Sequence, residues 1–153
     1  MKTFNLLIII MIFMSLSCTQ KTFLSEEDKN AVVSEIHQFM DSVEAVMESP
    51  QPEKYFNYFL QTDELAVATL GQLVTSPLAM RDTINKHMGM MEKQSIKTTA
   101  EKIYVINKEA AVLSAAKVTD ITFKNGAQIS MPYAWTLLIV KKDGKWKIAH
   151  AHN

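Results

Sequence analysis

The chain closes on Trp146-Lys147-Ile148-Ala149-His150-Ala151-His152, with two histidines two residues apart. Imidazole gives or takes a proton near neutral pH, so such a pair is a candidate for general acid or base work. On a strand, residues two apart share a face, which places His150 and His152 with Trp146 and Ile148. If that face lines a pocket, either imidazole has Tyr133 as a candidate partner. The alternative role is structural, finishing the last strand against a neighbouring strand or a second subunit. A metal centre needs a third ligand, and only His87, Asp63 or His37 is in a position to supply one. No ligand-spaced motif joins them, so no metal and no cofactor is expected. Tyr55, Tyr58, Phe59, Tyr133 and Trp135 have the composition of an apolar cavity with phenol hydroxyls at its rim. For the phenylalanines, ordinary core is the stronger reading. His87 sits among Met88, Met90 and Met91, an adaptable surface that suits a loose groove as well as an irregular core.

These residues need a scaffold, and the sequence outlines one. The last third reads as three antiparallel strands joined by tight turns. From Lys97 onward, β-branched and aromatic runs break at Asn107-Lys108-Glu109, Lys124-Asn125-Gly126 and Lys142-Asp143-Gly144. Asn-Gly and Asp-Gly accept the positive φ angles of a two-residue hairpin. Ahead of this meander, Ser25 caps a helix whose first turn carries Glu26, Glu27 and Asp28. Val32, Val33, Ile36, Phe39, Met40, Val43, Val46 and Met47 then recur at three- and four-residue spacing as one buried stripe, with His37 at its boundary. Pro50 and Pro52 stop that helix and open a short aromatic one. Leu65 to Val74 folds around Gly71 as a short hairpin, and Ser76-Pro77 opens a third helix through Ala79, Met80, Ile84, Met88 and Met91. Helices first and a long meander last make an α+β domain with helices packed on one face of a curved antiparallel sheet.

Residues 1–17 read as a signal peptide. Lys2 is its positive end, and Leu6 to Met14 form nine unbroken apolar residues, too few to cross a bilayer core that needs about 20. Ser15-Leu16-Ser17 precede Cys18, the chain's single cysteine. This arrangement resembles a lipoprotein signal, with Cys18 lipidated as the anchor and residues 18–24 as a short tether. Ser15 departs from that pattern, and an ordinary secretory signal is the alternative. Residues 25–153 then form one domain. An exported, membrane-anchored protein of the bacterial cell envelope is the expected location. The chain carries 16 basic and 16 acidic residues, a balance that argues against nucleic acid as a partner.

The Gly71 turn with Ser76-Pro77-Leu78-Ala79-Met80-Arg81-Asp82-Thr83-Ile84, the Ala110-Ala111-Val112-Leu113 strand and the ending from Asp143 to His152 resemble the nuclear transport factor 2-like superfamily, in its SnoaL-like branch. The resemblance runs from about Ser25 to Asn153. It implies a cone, with a strongly curved sheet around the long first helix, a pocket at the open end and dimers through the outer sheet face. The strand from Met131 to Val140 supports a covered outer face by itself. Met131, Tyr133, Trp135, Leu137 and Ile139 occupy one side, and Ala134, Thr136, Leu138 and Val140 the other, so both faces are apolar. Ketosteroid isomerase, in the same superfamily, sets an Asp base and a second protonated Asp in an apolar cavity. Here Asp41 lies on the polar side of the first helix, and Asp120 projects inward only if the face it shares with Val118 and Ala116 looks toward the cavity. No second buried carboxylate is evident.

Two functions fit. One is a lipid-anchored dimeric domain that binds a small apolar or amphipathic ligand among Tyr55, Tyr58, Phe59, His87, Tyr133, Trp135, His150 and His152, without assigned catalysis. The other is a lyase, cyclase or isomerase of the SnoaL-like, ketosteroid-isomerase-like type, with His150 or His152 and Tyr133 as acid and base.

Overall fold

A computed structural model describes residues 24–69 and 71–153. The segment read as signal peptide, Cys18 and nearly all of the tether lie outside the described residues. The long helix α1 spans Glu26–Glu48 and the one-turn α2 spans Pro52–Phe56; strands β1 (Ala66–Thr69) and β2 (Gln72–Val74) follow, then α3 (Pro77–Met88). The meander consists of β3 (Met91–Asn107), β4 (Ala110–Phe123), β5 (Gln128–Lys142) and β6 (Lys145–His152). Among the described residues no helix is long and apolar enough to cross a membrane.

The helix boundaries follow from local chemistry. The Ser25 side chain accepts a hydrogen bond from the Asp28 amide at 3.1 Å, and the Ser76 side chain accepts one from the Ala79 amide at 3.2 Å. Each satisfies a donor that the first turn otherwise leaves unpaired. In α1, Val32, Ile36, Met40 and Val43 are buried, the stripe that the spacing predicts. They pack with Leu113, Leu137, Ile139 and Ile148 in the core, each contributing about 1.5–3 kcal/mol through its removal from water.

The six strands lie in the order β2-β1-β6-β5-β4-β3. Every neighbouring pair is antiparallel except β1 and β6, which run parallel, with Ala66 opposite His150 and Ala68 opposite His152. The sheet is therefore mixed, whereas the turn chemistry predicts only antiparallel pairing. The chain reaches β1 through α2, so β1 docks on the last strand rather than forming a hairpin with it. The helices pack in the concave face, as in a nuclear transport factor 2-like cone.

The turns differ in a way that the residue pairs alone do not reveal. Asp143 and Gly144 both take positive φ, 51° and 74°, and close a two-residue turn. At Asn125-Gly126 only the glycine does, at 85°, and the connection lengthens so that the Phe123 amide bonds the Ala127 carbonyl. Pairing between β5 and β6 slips once, since Leu138 faces His150 while the next residue, Ile139, faces Ile148. Ala149 is the extra residue of a bulge on β6, and the bulge reverses the alternation beyond it.

Candidate functional site

A cavity of about 240 Å³ opens between the sheet and α3. Alternation along β4 turns Ala111, Leu113, Ala115, Lys117, Thr119 and Ile121 inward, and β5 contributes Tyr133, Trp135 and Leu137 to the same side. From α3 come Met80, Thr83, Ile84, His87 and Met88, a face made by three- and four-residue spacing; α1 adds Met47, and Tyr55 and Phe59 close the side nearest α2. Met91 and Met131 complete a wall with five methionines. Among the described residues no Asp, Glu, Lys or Arg side chain lines it.

Three of its polar side chains, Thr83, Gln94 and Thr119, are committed to backbone carbonyls. The Gln94 amide donates to the Met47 carbonyl at 2.9 Å and tethers the end of α1 to β3. The Thr119 hydroxyl donates to the Ser95 carbonyl at 3.2 Å and approaches Gln94 Oε1 at 3.4 Å. Tyr55 stands edge-on to Phe59 with ring centroids 5.1 Å apart, and Tyr133 edge-on to Trp135 at 5.7 Å. Burial pushes the Tyr55 phenol well above its usual range, helped by Tyr133. Burial does the same to Tyr133, with the negative charge of Glu44 adding to it. Both phenols therefore stay protonated and offer hydroxyl donors. Trp135 is 6% exposed, and its indole N–H is enclosed with no hydrogen-bond partner among the described residues.

Behind Trp135 lies Lys117, only 2% exposed. Its ammonium donates to Glu44 Oε1 at 2.6 Å and to the Thr98 hydroxyl, and sits 5.4 Å from the centre of the Trp135 ring. Such a cation is tolerable in the interior only because the helix carboxylate neutralises it. Lys117 is one of several charges on the meander strands, with Lys102 and Asp120. Its inward direction was recoverable only from register, because it pairs directly with Tyr133. Asp120 points the other way, exposed between Ser95 and Ser130, so it brings no carboxylate to the cavity.

The candidates named from the sequence fall into two groups. Tyr55, Phe59, His87, Tyr133 and Trp135 line the cavity together. Tyr58 packs edge-on to Phe39 at 5.6 Å in a shallow groove on the other side of α1. His150 and His152 do not share a face with Ile148 and Trp146. Beyond the bulge they stand in register with Leu138 and Thr136, on the outer side of the sheet, while Ala151 faces the cavity. His37 is a surface residue 2.8 Å from Glu101. Among the described residues no group of three or more His, Cys, Asp and Glu side chains gathers as a metal site. Met88 and Met91 were flagged beside His87, whereas Met47, Met80, Met131, Gln94 and Thr119 are among the lining residues that sequence reasoning did not place at a site.

Residues 32–153 match the family model of the calcium/calmodulin dependent protein kinase II association domain. No curated protein matches the chain by sequence. Among solved structures, a nuclear transport factor 2-like superfamily protein from Salmonella enterica serovar Typhimurium is 18% identical with a TM-score of 0.73, over 81% of this chain and 90% of that one. The association domain of C. elegans calcium/calmodulin dependent kinase II is 16% identical with a TM-score of 0.64, over 84% and 98%. A type 2 hexachlorocyclohexane dehydrochlorinase is 14% identical with a TM-score of 0.68, over 84% and 87%. At these identities the likeness is one of fold, and that fold is nuclear transport factor 2-like.

Proposed function

The chain belongs to the calcium/calmodulin dependent protein kinase II association domain family, and on that premise we propose that it is a self-associating domain that binds a small apolar or amphipathic ligand in its cone, without assigned catalysis. The observation that carries the reading is the cavity itself: apolar walls, two protonated phenols and an unpartnered indole N–H, with no carboxylate side chain among the described lining residues to act as a base. Binding of an uncharged naphthalene dye such as a 6-acyl-2-dimethylaminonaphthalene, lost on Ile84→Trp, which fills the cavity from α3, tests it. Retention of full binding in that variant places the dye elsewhere and removes the support.

Self-association runs through the outer face of the sheet in this reading. Tyr104, Val112, Leu138 and His150 form one cross-strand row there, and Tyr104 is 68% exposed. An apolar row open to water is a surface that a second copy would cover. Leu138→Glu is expected to halve the mass seen by sedimentation; an unchanged mass moves the interface elsewhere. Residues 1–17 act as a lipoprotein-type signal and Cys18 as the anchored residue at the envelope. Cys18→Ser is expected to abolish palmitate labelling and release the protein from the membrane fraction.

The SnoaL-like acid/base alternative keeps one supporting observation, that His87 and Tyr133 line the same cavity. As an isomerase or lyase the chain would need His87 as base and Tyr133 as donor.

A further inference from the structure

We propose that the cavity selects an uncharged, compact molecule of one or two rings that carries a hydrogen-bond acceptor, such as a ketone or ester oxygen, and that it rejects carboxylates and amines. This rests on the ligand-binding reading above and narrows it to a chemical class.

Charge is excluded by what surrounds the cavity. The nearest buried cation, Lys117, is held by Glu44 at 2.6 Å and by Thr98, so it is not free to take a carboxylate. Glu44 is spent on the same pair and offers nothing to an amine. An ion entering among Met80, Ile84, Met88 and Leu137 loses its hydration, and among the described residues no Asp, Glu, Lys or Arg side chain lines the cavity to replace it, which costs far more than an apolar body gains.

The acceptor follows from the donors. Trp135 lines the cavity, and its N–H, enclosed beneath the wall as the side chains stand, has no acceptor among the described residues; such a donor carries a standing penalty that an incoming oxygen would relieve. The neighbouring Tyr133 hydroxyl is a second donor on the same wall. An indole N–H only donates. The methionines are the unbranched side chains able to shift and let an oxygen reach it. Size is set by volume: an apolar cavity of about 150 Å³ holds a benzene ring, so about 240 Å³ takes one or two rings.

Three probes with one ring system separate these terms: naphthalene, its methyl ketone and its carboxylate. Each is measured by equilibrium dialysis against the full chain in lipid vesicles, with protein-free vesicles as the partition control. The ketone is expected to bind saturably and about tenfold more tightly than either other probe, which is the worth of one hydrogen bond to a buried donor. Trp135→Phe is expected to reduce the ketone to the level of naphthalene, and Tyr133→Phe provides a second variant should the first melt early. Equal binding of naphthalene and ketone, or ketone binding untouched by both variants, overturns the acceptor. Carboxylate binding at or above the ketone overturns the exclusion of charge. In each of those cases saturable binding still supports the pocket. If none of the three binds saturably, the ligand-binding reading falls, and this proposal falls with it.

Discussion

Two of the five glutamates of helix α1, Glu35 and Glu44, each meet a sheet lysine laid over a tryptophan. At one site Glu35 accepts from Lys141 at 2.6 Å and from the Trp146 indole at 2.7 Å, with the ammonium 4.7 Å from the ring centre. At the other, Glu44 accepts from Lys117 at 2.6 Å, the ammonium lies 5.4 Å from the centre of the Trp135 ring, and the indole N–H has no acceptor among the described residues. The composition is the same and the outcome differs. The first group is half open to water and closes its own hydrogen bonds, so it serves as a clamp between helix and sheet. The second is buried, leaves one donor unmet, and borders the cavity. What separates a structural cluster from a candidate binding wall here is one missing acceptor.

Breaking the buried group should have the largest effect. Glu44→Ala strands the Lys117 ammonium in the interior and is expected to cost about 3 kcal/mol in urea unfolding, whereas Lys117→Met, which removes the charge and keeps the bulk, should stay within about 1 kcal/mol of the parent. Equal losses would mean that Lys117 finds water or another partner. Next comes Trp146→Phe, which deprives Glu35 of the indole donor and should cost about 1 kcal/mol. Trp135→Phe should cost less than that, because it loses ring volume but also removes an unpaired buried donor, and the two offset to within about 1 kcal/mol. A Trp135 variant less stable than the Trp146 variant would reverse the comparison.

The smallest effect is in pH. Lys141 and then Trp146 hold the Glu35 carboxyl below its ordinary 4.5. A carboxyl whose folded pKa lies below its unfolded one adds stability that is complete above the unfolded value and fades as pH falls through the folded one. The gap in stability between the parent and Glu35→Gln should therefore be constant above about pH 5 and close progressively below 4.5. Because Glu35 is nearly half exposed, water weakens the pair and the gap is modest. No closing of the gap would assign the clamp to packing alone.

The same contrast explains what could be read in advance. The α1 stripe and the serine caps were legible because they depend on three or four residues of local sequence. The Asp143-Gly144 turn was legible because both residues must take positive φ. The aromatic part of the cavity wall was legible through the parity of Tyr133 and Trp135 on a strand long enough to establish it. Lys117 was not, because both faces of β4 carry small apolar residues, and only its partner across the ladder tells which face is inside. Nor was the position of His150 and His152, since the bulge at Ala149 is set by how β6 must meet β5 and β1 together. The parallel dock of β1 depends on contacts some 80 residues apart in the chain, beyond the reach of any local signal.

That one surplus residue decides which letters of the chain's ending the interior can read. In a ladder without the bulge, the alternation would run unbroken from Ile148, and His150 and His152 would replace Ala151 beside the cavity. A relative could thus exchange a mostly apolar lining for one bearing two further imidazoles beside that of His87, with its composition untouched, by respacing a single backbone hydrogen bond.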